Sequence, residues 1–362
     1  GGTMIFRHAE TEDIAGISSL WDKCFPGDED FRDYFLSEIF DPGRTLVCED
    51  NRQVVSMAHV LPAHVDYHTK VIPAGYIFAV GTDPDHRGKG LASILMERIF
   101  TELRQMDIPL AVLVPQKDSL FEFYRRSGFA GIFSVSRERL VREKLPDIPP
   151  DADYMLLRSN LASRSAGEDV VPSVEDISSA NTIYENVMIF RTHLKRTDEH
   201  WTRAVKIAEI AGGGMFVLKK DGVAAGYAIC EMCEEGLLIN ELLCEDEISF
   251  NALRAGVLDR MGVSGAVMLT PACPHDACRF GMVRVIDAEK MLAYAAAYRS
   301  GMECSFDLLD KQAGWNTARF EINGGVVSRS EYKNSKAFIT PSQLAEILFG
   351  AGPIPYINLM FS

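Results

Sequence analysis

Arg87, Gly88, Lys89 and Gly90 stand between an apolar run, residues 76–80, and a segment, 91–100, whose apolar residues Leu91, Ile94, Leu95 and Ile99 recur at helical spacing. A glycine loop between a strand and a helix is chemistry for an anion. The first-turn N–H groups have no intrahelical partner, and the helix dipole places partial positive charge there. Glycine lets a phosphate approach the backbone, and Arg87 and Lys89 add full charges. Neither the P-loop pattern, Gly-x-x-x-x-Gly-Lys-Ser/Thr, nor the dinucleotide fingerprint, Gly-x-Gly-x-x-Gly, is present. Further on, Ser119 precedes the run Phe121-Glu122-Phe123-Tyr124-Arg125-Arg126-Ser127-Gly128-Phe129, which reads as a short helix with a Gly-Phe stop. A tyrosine there can act as a general acid or pack as a core aromatic.

Arg87-x-x-Gly90-x-Ala92 resembles the coenzyme A signature of the GNAT superfamily of acetyltransferases, Arg/Gln-x-x-Gly-x-Gly/Ala. Phe123-Tyr124-x-x-x-Gly128-Phe129 resembles the tyrosine segment of the same superfamily. The resemblance implies acetyl-CoA as co-substrate, with Tyr124 beside the thioester sulfur as acid. It implies Arg87, Gly88, Lys89 and Gly90 on the pyrophosphate, and Ala92 completing the motif. Val80 and Thr82 would present main-chain groups of a splayed strand to the acetyl carbonyl and pantetheine, and Ser119 would touch the cofactor. His86 adjoins the loop and reads equally well as a solvated residue.

The elements that must position this chemistry follow in order. Residues 5–9 read as a strand, Thr11 as an N-cap for a helix through Ile17, Leu20 and Trp21, and about 29–40 as a second helix. Residues 45–50 and 54–60 read as a hairpin turning at Asp50-Asn51, followed by the 76–80 strand, the loop and helix, and a strand at 111–114. A proline-rich seam at 145–151 marks a boundary. Residues 152–278 repeat the grammar: Ser173-Val174-Glu175-Asp176-Ile177 is similar to Thr11-Glu12-Asp13-Ile14, and an Asp221-Gly222 hairpin and a 237–244 strand follow. Where the glycine loop belongs stand Glu245, Asp246 and Glu247, which repel a pyrophosphate.

The expected fold is therefore α/β (α+β): a catalytic GNAT domain over 1–145, a degenerate GNAT-like domain over 146–278 and a third domain over 279–362 that resembles a sterol-carrier-protein-like fold. Together the three are similar to the enhanced-intracellular-survival (Eis) type of acetyltransferase. That resemblance implies acetyl transfer to a primary amine: an aminoglycoside, a polyamine or a lysine-like acceptor. It also implies the chain's terminal carboxylate, here on Ser362, as base, and a homo-oligomer, a hexamer in some members. Asp28, Glu29, Phe31 and Phe35 lie in the region that borders the acceptor pocket in that family. They mix carboxylates that attract a cation with rings that can stack on it. Burial of the apolar tail, with Ile357, Leu359, Met360 and Phe361, is expected because exposing those residues is unfavourable. Two other readings stay open: N-myristoyltransferase-like acyl transfer, and a non-catalytic lipid-binding or scaffold protein with a vestigial site.

Composition sets the outer bounds. The 362 residues exceed one ordinary domain, and 47% are hydrophobic. A net charge of −14 argues against nucleic acid or an anionic membrane as partner, since either needs a basic face. Neither an apolar run of membrane-spanning length nor a basic-then-apolar opening is read, so a cytoplasmic protein is expected. Cys230-x-x-Cys233 and Cys273-x4-Cys278 with His275 have poor spacing for zinc, and no metal is expected.

Overall fold

The computed structural model describes residues 4–147, 153–159, 172–333 and 337–358. In chain order it begins with β1 (Ile5–His8), α1 (Ile14–Cys24), α2 (Glu29–Glu38), β2 (Thr45–Asp50), β3 (Gln53–Tyr67), β4 (Lys70–Thr82), α3 (Leu91–Gln105), β5 (Leu110–Leu113), α4 (Asp118–Arg126) and β6 (Ala130–Val141). It continues with β7 (Tyr154–Arg158), α5 (Val174–Met188), β8 (His193–Leu194), α6 (Asp198–Ile210), β9 (Gly214–Lys220), β10 (Val223–Cys233), β11 (Gly236–Cys244), α7 (Glu247–Met261) and β12 (Gly265–Pro271). It ends with β13 (Cys278–Val285), α8 (Ala288–Tyr298), β14 (Cys304–Leu308), β15 (Ala318–Asn323), β16 (Val326–Ser330) and α9 (Pro341–Phe349). The chain forms two compact units: residues 1–133 with 280–355, and 134–279 with 356–362.

In the first unit the strand order is β1-β2-β3-β4-β5-β13. All neighbours are antiparallel except β4 and β5, which run parallel because α3 carries the chain back between them. The hairpins β2–β3 and β3–β4 turn on two-residue loops, Asn51-Arg52 and His68-Thr69, with positive φ at all four positions. That geometry matches the strands' own twist. Helix α3 buries Leu95, Met96, Ile99, Phe100 and Leu103 against Ala58, Val60, Ile77, Ala111 and Leu113. Ile94 departs from the expected face and is 38% exposed. Thr11 also departs: it lies inside a 3-10 turn capped by Glu10, and α1 starts at Ile14. A separate antiparallel sheet, β14-β15-β16, with α8 and α9, completes this unit.

The second unit has the same plan. Its strand order is β7-β9-β10-β11-β12-β6, and β11–β12 is its parallel pair, bridged by α7. Helices α5 and α6 precede the strands as α1 and α2 do in the first unit. The Asp221-Gly222 turn has φ of 53° and 80°. The chain is a mixed α/β fold of two parts that share one strand plan. Among the described residues, no helix is long and apolar enough to cross a membrane. Cys230 is buried in β10, while Cys233, Cys273 and Cys278 are exposed.

Candidate active site

Strand β4 pairs with β5 only from Ala74↔Leu110 to Tyr76↔Val112. It then runs on to Thr82 beside β3. From Ile77 onward β5 no longer pairs its other edge. A bulge between Met57 and His59 of β3 faces this stretch, and Ala79 has φ +47°. Val80 and Thr82 are both half-buried. The Thr82 hydroxyl lies 2.8 Å from Ser56 Oγ.

Asp83 turns the chain out of the strand. Its N–H donates to Val55 O (2.9 Å), and its carboxylate accepts from Asp85 N (2.9 Å) and Lys23 Nζ (2.7 Å). The Lys23 hydrogen bond holds that carboxyl below the usual range. His86 Nε2 lies 3.2 Å from Asp50 Oδ2, so it ties the loop down at a second point. Arg87 follows, exposed, with Nε donating to Thr82 O at 3.2 Å.

Gly88 and Gly90 have φ of +78° and +76°, and a Cβ at either would meet nothing within 4 Å. Glycine is demanded there by the backbone rather than by crowding, and the space beside it is open. Gly90 is the N-cap of α3 and supplies no side chain to the first-turn N–H groups. Lys89 is exposed and Ala92 half-buried. An uncapped helix start, two open glycines and two exposed cations fit a pyrophosphate.

Tyr124 is 7% exposed and packs in the core that α3 forms. Its ring stands edge-on to Phe123 (5.1 Å) and Phe129 (5.9 Å). Its phenol has no hydrogen-bond partner among the described residues, and burial pushes its pKa up to about 12. The group therefore keeps its proton through the neutral range, as an acid requires. The stop after α4 fixes its place: Gly128 N–H donates to Arg125 O (3.0 Å) and Phe129 N–H to Tyr124 O (3.1 Å), with Gly128 at φ +84°. Ser119 is exposed in the first turn of α4.

The expected acceptor residues divide by burial. Asp28 and Glu29 are exposed at the start of α2, Phe31 is half-buried and Phe35 is fully enclosed. Desolvation, then the charge of Glu29, raises the Asp28 carboxyl. Phe35 cannot stack on a ligand from there; it backs the ring of Phe78 (5.4 Å) and that of Trp21 (5.2 Å). Trp21, His59 and Phe78 were not foreseen, and they join α1, β3 and β4 in one aromatic cluster. The Thr45 hydroxyl donates to Asp41 O, so it accepts from His59 Nδ1–H at 2.8 Å. That leaves His59 Nε2 unprotonated, buried and without a hydrogen-bond partner among the described residues, and the Trp21 Nε1–H donor is likewise buried and unpartnered there. Burial lowers the His59 pKa to about 3.

Residues 6–132 match the family described as the acetyltransferase (GNAT) domain. Over that stretch, about a third of the chain, the protein is similar to a GNAT acetyltransferase domain. GNAT domains are acyltransferase catalysts that use acetyl-CoA. A mycothiol acetyltransferase of Propionibacterium freudenreichii subsp. shermanii is 27% identical over 110 residues, spanning 28% of this chain and only 32% of that relative. A GCN5-related N-acetyltransferase from Anabaena variabilis has the same fold, with TM-score 0.70, 16% identity and coverage of 98% of this chain and 99% of its own. Eis1 from Mycobacterium abscessus is similar with TM-score 0.65, 16% identity and coverage of 97% and 90%.

The second GNAT-like part differs at the matching point. Asp246 is the N-cap of α7, and its carboxylate accepts from Ser249 N–H and Ser249 Oγ, both at 2.8 Å. The start of this helix is already occupied by the chain's own anion. After β12, residues 272–277 form a turn with no helix comparable to α4. What this part does hold is the tail. Glu241, fully buried, accepts two hydrogen bonds from Arg196 (2.6 and 2.7 Å) and one each from Tyr227 and Tyr356 (2.5 Å). Arg196 also donates to Asn358 O at 2.7 Å, and Asn358 Nδ2 to Asn240 O at 2.8 Å. Tyr356, Ile357 and Asn358 are buried. Leu359, Met360, Phe361 and Ser362 lie outside the described residues.

Proposed function

We propose that this protein is an acetyl-CoA-dependent N-acetyltransferase acting on a primary amine by direct attack. The observation that carries the reading is the uncapped start of α3 behind two positive-φ glycines and two exposed cations. Arg87, Lys89 and the N–H groups beyond Gly88 and Gly90 bind the pyrophosphate, with Ala92 in the first turn. The main chain from Val80 to Thr82 receives the pantetheine and the acetyl carbonyl, and Ser119 contacts the cofactor.

In the reaction the amine nitrogen forms a bond to the acetyl carbon and the carbon–sulfur bond breaks. The proton of Tyr124 goes to the departing thiolate, and the proton of the amine goes to a base. We assign the base to the Ser362 carboxylate. A terminal carboxylate has a reference pKa of about 3.5, so it serves as base only where desolvation raises it or water relays the proton. The tail is fastened as far as Asn358.

The acceptor class is an aminoglycoside, polyamine or lysine-like amine, drawn by Asp28 and Glu29 and flanked by Phe31. The three-stranded sheet β14–β16 with α8 and α9 supports reading 279–362 as the sterol-carrier-like part, and residues 146–278 as a degenerate GNAT-like part with a structural role. A panel of amines assayed by release of free coenzyme A thiol tests the reading. Acetyl transfer to at least one cationic amine is expected. Acetyl-CoA binding with no transfer to any amine would overturn it.

A further inference from the structure

A cavity of about 530 Å³ lies against the end of α4, with no residue of the coenzyme loop in its wall. That size suits a small organic ligand. Its wall carries three cations, Arg125, Arg126 and Lys311, and three apolar surfaces, Leu309, Phe338 and Pro341. Glu122 takes the Nε of Arg125 (2.9 Å) and of Arg126 (3.4 Å), and Glu346 also faces Arg125. The Nη groups of both arginines make no hydrogen bond among the described residues.

A fourth cation lies behind this wall, next to Gly128, without lining the cavity. Arg284, on β13, is fully buried and donates from Nη2 to both oxygens of Asp310 at 2.8 Å. Asp310 also accepts from Gln312 N, Ala313 N and Asn316 Nδ2, so the carboxylate is saturated. Arg284 is not: its Nε and Nη1 have no hydrogen-bond partner among the described residues. An orphaned buried donor on a charged group is costly. Nη1 sits in the slot that the missing side chain of Gly128 leaves, where a Cβ would lie 1.6 Å from it and 3.0 Å from Pro341 Cβ. Gly128 and Pro341 both line the cavity.

We propose that this cavity binds an organic oxyanion, a carboxylate or phosphate carried on an apolar body. The head lies between Arg126 and Lys311, with the buried Arg284 adding charge from behind Gly128, and the body rests on Leu309, Phe338 and Pro341. Guanidinium groups are suited to such heads because their donors match two oxygens at once.

Calorimetric titration of the full chain at fixed ionic strength tests this, with phenyl phosphate, benzoate, inorganic phosphate and benzyl alcohol as separate probes. Saturable one-to-one binding of phenyl phosphate or benzoate is expected, and which of them binds identifies the head group. Benzyl alcohol and inorganic phosphate should each bind about tenfold more weakly or worse. The double variant Arg126→Gln, Lys311→Gln should weaken the bound probe by about tenfold or more and leave acetyl-CoA affinity unchanged. Saturating acetyl-CoA should not displace the probe. Four results would each overturn the proposal: no saturable binding of either organic anion, equal binding of benzyl alcohol or inorganic phosphate, displacement by acetyl-CoA, or unchanged affinity in the double variant.

Discussion

Helices α3 and α7 occupy the same point in the same strand–helix–strand plan, yet their first turns are built in opposite ways. Helix α3 begins at Gly90, with no capping side chain and open space beside two glycines. Helix α7 begins at Asp246, whose carboxylate satisfies the first-turn N–H of Ser249. A helix start that needs an anion can take it from a ligand or from its own chain. The first choice leaves stability unclaimed and the N–H groups open to a ligand. The second secures the helix and closes the site. The same division runs further: the first part has α4 and Tyr124, while the second has the buried Arg196–Glu241 pair that holds the tail.

The sharpest way to break this contrast is to damage each part and ask which property fails. Tyr124→Phe removes only a hydroxyl from the first part. Turnover should fall by about 10²–10⁴-fold, with acetyl-CoA affinity retained. Unchanged kcat, with chemistry rate-limiting, would leave Tyr124 as a packing residue. Glu241→Gln acts on the second part and strands the buried Arg196 charge. Denaturant unfolding should show a loss of about 3–5 kcal/mol, while acetyl-CoA affinity in the folded protein should hold. If that variant does not fold, Tyr356→Phe tests the same network with a loss of about 1–3 kcal/mol. A loss of coenzyme affinity at intact stability would contradict a structural role.

A pH titration sharpens the contrast on the first part. Burial raises the phenols of Tyr67 and Tyr124 to about 12, above the ordinary value of 10. The folded chain therefore holds these protons where the unfolded chain releases them. This contribution is fully present below pH 10 and is lost as pH rises from 10 through about 12. Denaturation midpoints should fall across that window, and less steeply in Tyr124→Phe. Parallel slopes in the two proteins would mean that Tyr124 is not desolvated. Asp246→Ala should have the smallest effect, about 0.5–2 kcal/mol in unfolding for a lost cap, with no change in acetyl-CoA binding.

The glycine loop ahead of α3 was legible in the sequence because everything that defines it is contiguous. Arg87 through Ala92 supply the charges, the positive-φ positions and the helix start within one short run. The acidic residues at 245–247 were legible as hostile to phosphate. That Asp246 also caps α7 was not read, although an Asp just before a helical segment is itself the signal. The lengths of β3 and β4 were underestimated for a local reason. Pro62 and Pro73 lie inside them, and the His68-Thr69 turn lacks the usual glycine or asparagine. His59, Trp21 and the Arg196–Glu241–Tyr356 network were invisible because their partners are distant in the chain. No periodicity reports a contact between residues 241 and 356.

The central claim is that one anion-accepting helix start, at α3, receives the coenzyme. Calorimetric titration of acetyl-CoA into the wild-type chain, Arg87→Ala and Asp246→Ala tests it directly. One site per chain is predicted. Arg87→Ala should weaken binding by about 1.5–3 kcal/mol, the size of a lost charge-assisted contact, and Asp246→Ala should match the wild type. Two sites per chain, or equal affinity in the wild type and Arg87→Ala, would contradict the account.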